Sequence, residues 1–243
     1  MTHWYEGPLA AFDIATTGTD AEEDRIVSAA LVVQDISGAR ARVTRWLVNP
    51  GVPVPVEATE LHGLTDALVQ RSGRWPAPVI EEAGRALAEQ CAAGRPLVVM
   101  NAPFCLTVLD REMGRHRNSS MARYLENAPL CVLDPGVLDR HLDPVRKGRR
   151  QLVDLCSLYG VVLDGEHDPV ADAVAALEVV RSVGRRFATT TQQLTVAQLH
   201  ARQAVWHAAQ ARGQQEWFAR GGPRAAPDPA WPLRPQIPAV APA

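Results

Sequence analysis

The stretch LAAFDIATTGTD, residues 9–20, decides how this chain is read. An apolar run closes on an acid, Asp13, and breaks soon after into the turn-prone Thr16-Thr17-Gly18. The pattern predicts a short buried strand over 9–15, with Asp13 at its end and a turn behind it. An acid closing a buried strand is costly unless it is paired, hydrogen-bonded or bound to a metal. The other reading is an acid that caps the turn. A second acid is expected at position 15, and Ala15 stands there.

Outward from that strand, RIVSAALVVQD (25–35) and ARVTRWLVNP (41–50) are β-rich and flank a turn at Gly38, so they predict a hairpin that continues the first strand. PGVPVPVE (50–57) is too rich in proline for a central strand and reads as an extended connection, with short helical pieces after it. An amphipathic helix is expected over 77–93, with Val79, Ile80, Ala83, Leu87 and Cys91 on one face. Strands at 95–101 and 130–134 are each followed by helix, with helices at 135–142 and 151–159. Asp168 is a good N-cap and Pro169 suits the first position of a helix over 169–187, whose apolar side carries Val170, Val174, Leu177 and Val180. A polar helix over about 195–219 and a proline-rich, flexible tail from 221 complete the chain. Three antiparallel strands followed by alternating helix and strand predict one α/β domain with a mixed sheet. The divisions expected are a domain over 1–190, a helical extension over 191–220 and the tail over 221–243.

Composition bounds the function classes. A length of 243 residues suits one sizeable domain, and 47% hydrophobic with 21% charged residues is ordinary for a soluble fold. A formal net charge of −2 means that any nucleic-acid surface must be local. Cys91, Cys105, Cys131 and Cys156 lack CxxC spacing, which argues against a zinc ribbon or a disulfide framework. MTHWYEGPLA has no basic region before an apolar core, and no run reaches membrane-spanning length, so a cytoplasmic protein with no membrane partner is expected.

Two further stretches carry polar groups where strands meet helices. In VVMNAPFCL, Asn101 can cap the next helix and Cys105 falls in its first turn, where the helix dipole would depress a thiol pKa. A small buried hydrophobe is the other reading of Cys105. In GEHDPVADA, His167 precedes the helix and Asp172 lies one turn inside it, a pairing suited to a general base and a metal ligand or to a solvated first turn.

Taken together and in order, these stretches resemble the DEDDh 3′–5′ exonucleases, a ribonuclease-H-like family that includes polymerase proofreading subunits and ribonuclease T. The family's F-D-x-E-T-T-G is Phe12-Asp13-Ile14-Ala15-Thr16-Thr17-Gly18 here, and its x-H-G-[IL]-T is Leu61-His62-Gly63-Leu64-Thr65. N-A-x-F-D appears as Asn101-Ala102-Pro103-Phe104-Cys105, and H-x4-D as His167 and Asp172. The resemblance covers about residues 8–187 and implies a five-stranded mixed sheet with helices on both faces.

It also implies two Mg²⁺ or Mn²⁺ ions held by four carboxylates, which activate water and stabilise the leaving 3′-oxygen while the histidine acts as base. Asp13, Asp172 and His167 match, whereas Ala15 and Cys105 replace two carboxylates, so metal binding by Asp13 and Asp172 alone is weakened. Asp20, Glu22, Glu23, Asp110, Glu112 and Glu166 are the nearby acids that could stand in. By resemblance Thr17, Gly18, His62, Asn101 and Phe104 contact the terminal nucleotide. VRKGRR (145–150) offers Arg146, Lys147, Arg149 and Arg150 for phosphate contact, or is a solvated loop. The expected function is binding of a single-stranded DNA or RNA 3′ end, or a nucleotide, with weak or absent cleavage: a pseudoenzyme. The alternative is a repurposed cleft in which Cys105 and His167 act on a small molecule. A homodimer is a further candidate assembly.

Overall fold

The computed structural model describes residues 3–165, 167–221 and 227–236. The chain runs β1 (Leu9–Thr16), β2 (Ile26–Gln34), β3 (Arg42–Leu47), α1 (Val56–His62), α2 (Asp66–Ser72), α3 (Pro76–Ala92), β4 (Leu97–Val98), α4 (Ala102–Arg117), α5 (Met121–Leu125), β5 (Val132–Leu133), α6 (Pro135–Leu142), α7 (Leu152–Tyr159), α8 (Pro169–Arg186), α9 (Ala188–Thr191) and α10 (Val196–Gly221). The strands form one mixed sheet ordered β3-β2-β1-β4-β5. β1–β2 and β2–β3 are antiparallel, β1–β4 and β4–β5 parallel. This is the mixed ribonuclease-H-like sheet that the sequence predicts.

The central strand differs from expectation in one respect. β1 extends to Thr16, so Asp13 lies within the strand, opposite Ala30 of β2, and not at its end. Ala15 and Thr16 keep pairing with Ser28 and Ile26 through an irregularity in register, which carries the strand past the acid. On its other edge β1 pairs with β4 only at Ala10 and Ala11. Asp13 therefore stands beyond the carboxyl end of β4, beside the point where the sheet changes from antiparallel to parallel. Crevices in α/β sheets open at such switch points.

Strand alternation divides the core. Ala10, Phe12 and Ile14 face a layer with Val79, Ile80, Leu87, Leu106 and Met113 from α3 and α4. Leu9 and Ala11 face the opposite layer with Leu138, Leu155, Leu177, Val180 and Val183. By the same parity Asp13 and Ala15 point to the α8 side. All five residues predicted for the inner face of α3 are buried. On α8 the buried stripe is Ala173, Ala176, Leu177, Val180 and Val183, while Val174 is 38% exposed, contrary to expectation. The small alanines let the helix lie close to β1 and turn the stripe by one position.

The tail also departs from its predicted flexibility, for the residues described. Trp231 and Leu233 pack against the α3–α4 layer, the Arg234 amide donates to Thr107 Oγ1 at 2.9 Å, and Gln236 donates to Asp110. Residues 222–226 and 237–243 of the predicted flexible segment lie outside the described residues. Among the described residues, no helix is long and apolar enough to cross a membrane.

Arg181 of α8 is fully buried and donates to Gln34 Oε1 and to the carbonyls of Tyr5 and Gly7, tying the N-terminal segment to the end of β2. Replacing it leaves these acceptors without a donor and away from water. Arg181→Met is expected to lower unfolding free energy by about 2–4 kcal/mol, read from urea denaturation followed by circular dichroism.

Candidate active site

Two adjoining cavities of about 490 and 400 Å³ share Asp13, Ile14, Phe104, His167 and Asp172, and together form one cleft over the switch point. The smaller runs along Ala15–Thr19 and the inner side of α1, where Ala58, Leu61 and His62 line it. The larger opens between α6, the start of α7 and α10, and is lined by Arg140, Arg150, Gln151, His207, Gln210 and Gln214.

The start of α8 delivers two of these groups. Asp168 caps the helix by accepting the amides of Val170 and Ala171, as the sequence predicts, and also pairs with Arg45 at 2.7 Å. His167 precedes it in a left-handed conformation, φ 65°, after Gly165 at φ 89°. The reversal brings the imidazole and Asp172 to the same wall as Asp13. Burial pushes the Asp13 carboxyl well above the usual range, and the nearby Asp172 and Asp168 carboxylates push it further.

The two substituted positions supply little to a metal. Ala15 lines the smaller cavity with a methyl group. Cys105 is buried, and its thiol donates to the Met100 carbonyl at 3.4 Å. Burial drives its pKa well above the usual value, and Asp13 and Asp134 add to the shift. That overturns the depressed pKa expected from the helix dipole: desolvation and neighbouring carboxylates outweigh the amide at the helix start. The basis for Cys105 as a nucleophile beside His167 falls with it.

Asn101 holds the N-cap position of α4 in a left-handed conformation, φ 55°, but its side chain makes no capping bond, contrary to expectation. The cap comes from Asp134, which sequence reading missed. One oxygen of this buried carboxylate accepts the Ala102 amide at 2.9 Å, and the other accepts the amides of Gly136 and Val137. Asp134-Pro135 is a capping signature like Asp168-Pro169, and that signal was available.

The residues expected at the terminal nucleotide divide by what holds them. Phe104 stands between the two cavities and Asn101 is exposed at the edge of the larger. His62 lines the smaller one. Its Nδ1 accepts the Leu64 amide, so Nε2 carries the proton and donates to the Thr16 carbonyl at 3.3 Å. Burial lowers its pKa, keeping this neutral tautomer. Thr17 lines the smaller cavity, while its hydroxyl is engaged in the fold, donating to Asp24 at 2.7 Å and accepting the Arg25 amide. A Cβ at Gly18 would lie 2.5 Å from the Asp24 carboxylate, which would have to shift to admit it.

The predicted basic cluster is not one unit. Buried Asp139 holds Arg146 and Arg150 at 2.7 and 2.8 Å and also accepts the Tyr159 hydroxyl, so Arg146 is committed to the fold. Lys147 and Arg149 are exposed and line neither cavity, whereas Arg150 reaches the cleft. None of Asp20, Glu22, Glu23, Asp110 and Glu112 lines the cleft. Asp110 is occupied by the Met121 amide, Arg111 and Gln236. Glu166 lies outside the described residues. Among the described residues no three His, Cys, Asp or Glu side chains converge for a metal ion. Two carboxylates, a methyl and an engaged thiol do not fit a two-metal centre.

The RNase_T family model, described as exonuclease, matches residues 10–180. The chain is 33% identical over 175 residues to a DNA polymerase III subunit epsilon-like protein of Rhodobacter capsulatus, covering 70% of this chain and 23% of that protein. It is 26% identical to the DNA polymerase III subunit epsilon of Treponema pallidum, covering 70% and 74%. In fold it is similar to E. coli exonuclease I solved with a dA16 oligonucleotide, with a TM-score of 0.63 at 16% identity over 76% of this chain and 42% of that one. The chain thus spans about a quarter of the first of these relatives and about two fifths of exonuclease I.

Two outcomes follow from the site's electrostatics. The folded state holds the Asp13 proton more tightly than the unfolded chain, so stability falls as pH rises from the unfolded value, about 3.9, through the higher folded value. Asp13→Asn removes that loss: the variant should match the wild type below about pH 4 and exceed it at neutral pH, measured by urea denaturation across pH. Iodoacetamide should label Cys105 at least about tenfold more slowly than a free thiol at pH 8, with no change in His167→Ala, as read by peptide mass spectrometry.

Proposed function

The chain belongs to this exonuclease family, and we propose that it binds the 3′ end of a single-stranded nucleic acid, or a nucleotide, while cutting it weakly or not at all. The observation that carries this reading is the donor set of the cleft. Asp13 and Asp172 face it, but Ala15 has no ligand atom and the Cys105 thiol is buried against the Met100 carbonyl. Magnesium and manganese sites are built from oxygen donors, so whatever Mg²⁺ or Mn²⁺ binding remains is weak.

Binding is supported by the rest of the cleft. Its smaller arm has an apolar wall of Ile14, Ala58, Leu61 and Phe104, suited to a base and sugar. The fixed His62 tautomer lines this arm, and Asn101 stands at the edge of the larger one. Losing two carboxylates, with Asp13 held toward its neutral form, lessens the repulsion that a metal-free acidic cleft would exert on a phosphate. Exonuclease I, similar in fold, has been solved with dT13 and dA16 oligonucleotides.

The double variant Ala15→Glu plus Cys105→Asp tests the reading. Each ligand lost should cost at least about 10–100-fold in metal affinity or activity. The variant should therefore bind Mn²⁺ in calorimetry and release nucleotides from single-stranded DNA about 10²–10⁴-fold faster than the wild type. Comparable metal-dependent release by the wild type, abolished in Asp13→Ala, would overturn the proposal.

A further inference from the structure

The larger arm of the cleft holds an arginine to which no described residue is hydrogen-bonded or ion-paired. Arg140, on α6, lines the cavity that also contains Asp13, His167 and Asp172. Among the described residues no hydrogen bond or ion pair holds its guanidinium, and Asp139 and Asp134 act on it only as nearby charges. The carboxylates nearest to it are already engaged. Asp139 takes Arg146, Arg150 and the Tyr159 hydroxyl. Asp134 takes three backbone amides. Arg150, the second arginine of this arm, is further held by the carbonyls of Asp143 and Arg146. Arg140 is thus a partly buried cation facing a cavity with its hydrogen-bonding fork unused.

The surroundings fit an anion carried by a polar ligand. Gln151 at the start of α7 and Gln214 of α10 line the same arm. His207 is turned to the Asp228 carbonyl and Gln210 to the Val137 carbonyl, so these two fix the wall. Burial and the neighbouring Arg150 disfavour the Arg140 charge, a cost that a bound anion would offset.

We infer that Arg140 is the anchor of a phosphate subsite, taking the phosphodiester next to the terminal nucleotide when a strand end occupies the smaller arm. The inference rests on the proposed binding of strand ends, and it deepens that reading by assigning the polar arm to the strand's backbone. A planar fork matched to two phosphate oxygens is the chemistry that arginine offers and lysine does not.

The test uses the full chain, the Arg140→Gln and Arg140→Lys variants, and two probes: inorganic pyrophosphate by calorimetry and a 5′-labelled dT8 oligonucleotide with a free 3′ end by fluorescence anisotropy at several salt concentrations. Circular dichroism checks folding, and Arg140→Lys keeps the charge should the glutamine variant fail to fold. Arg140→Gln is expected to weaken both probes about 10–100-fold and to reduce the salt slope for dT8 by about 0.7. Arg140→Lys should retain the slope and still bind more weakly. Wild-type binding of dT8 with affinity and slope unchanged in Arg140→Gln would overturn the subsite and leave the proposed function standing. Pyrophosphate binding that depends on Arg140, without dT8 binding, would keep the anion site and overturn the function. Binding of neither probe would overturn both.

Discussion

One buried carboxylate holds the cleft together. Asp134 follows β5 and accepts three amides, from the start of α4 and the start of α6. Its own amide donates to Gln203 of α10, whose side-chain nitrogen donates back to the Val132 carbonyl. Four elements therefore meet at one residue. Because β4 and β5 are two residues long, the sheet itself offers few hydrogen bonds to fix the helices beyond them. The carboxylate does so, and its burial makes the arrangement obligatory: leaving those amides unpaired away from water would cost several kilocalories per mole. Cys105 is placed by the same node, one turn into the helix that Asp134 caps.

From this follows the character of the site. The α4 start that would present an acid to a metal presents a thiol bonded to the carbonyl of its own entry segment. The strand that would present a second acid presents a methyl. What remains, Asp13, Asp172 and His167, sits between an apolar arm and a polar arm. The cleft walls are thus more complete than the set of oxygens that a two-metal hydrolysis needs.

Much of this was legible in the sequence because the signals were local and redundant. Asp168-Pro169 caps α8 as written, and the apolar spacing of α3 matches its buried face. That the sheet is mixed follows from three β-rich runs preceding the alternation of helix and strand. What was not legible depends on long-range partners. Asn101 looks like a cap, but Asp134 from another strand takes the amide. The Cys105 pKa looks depressed from the helix start alone, and burial beside Asp13 reverses it. Arg146 and Arg150 look like a basic patch until Asp139 claims both, and Arg140, outside that run, is left facing the cleft. The tail reads as flexible by composition, yet Trp231 and Leu233 find apolar surface on the core.

The central claim is that this cleft retains a strand end without hydrolysing it. The most direct measurement is a crystal structure of the wild-type chain grown with a short dT oligonucleotide and Mn²⁺. The expected result is an intact strand, its 3′-terminal nucleoside against Phe104 and His62 and its last phosphodiester at Arg140. A cleaved product with two ordered metal ions at Asp13 and Asp172 would contradict it.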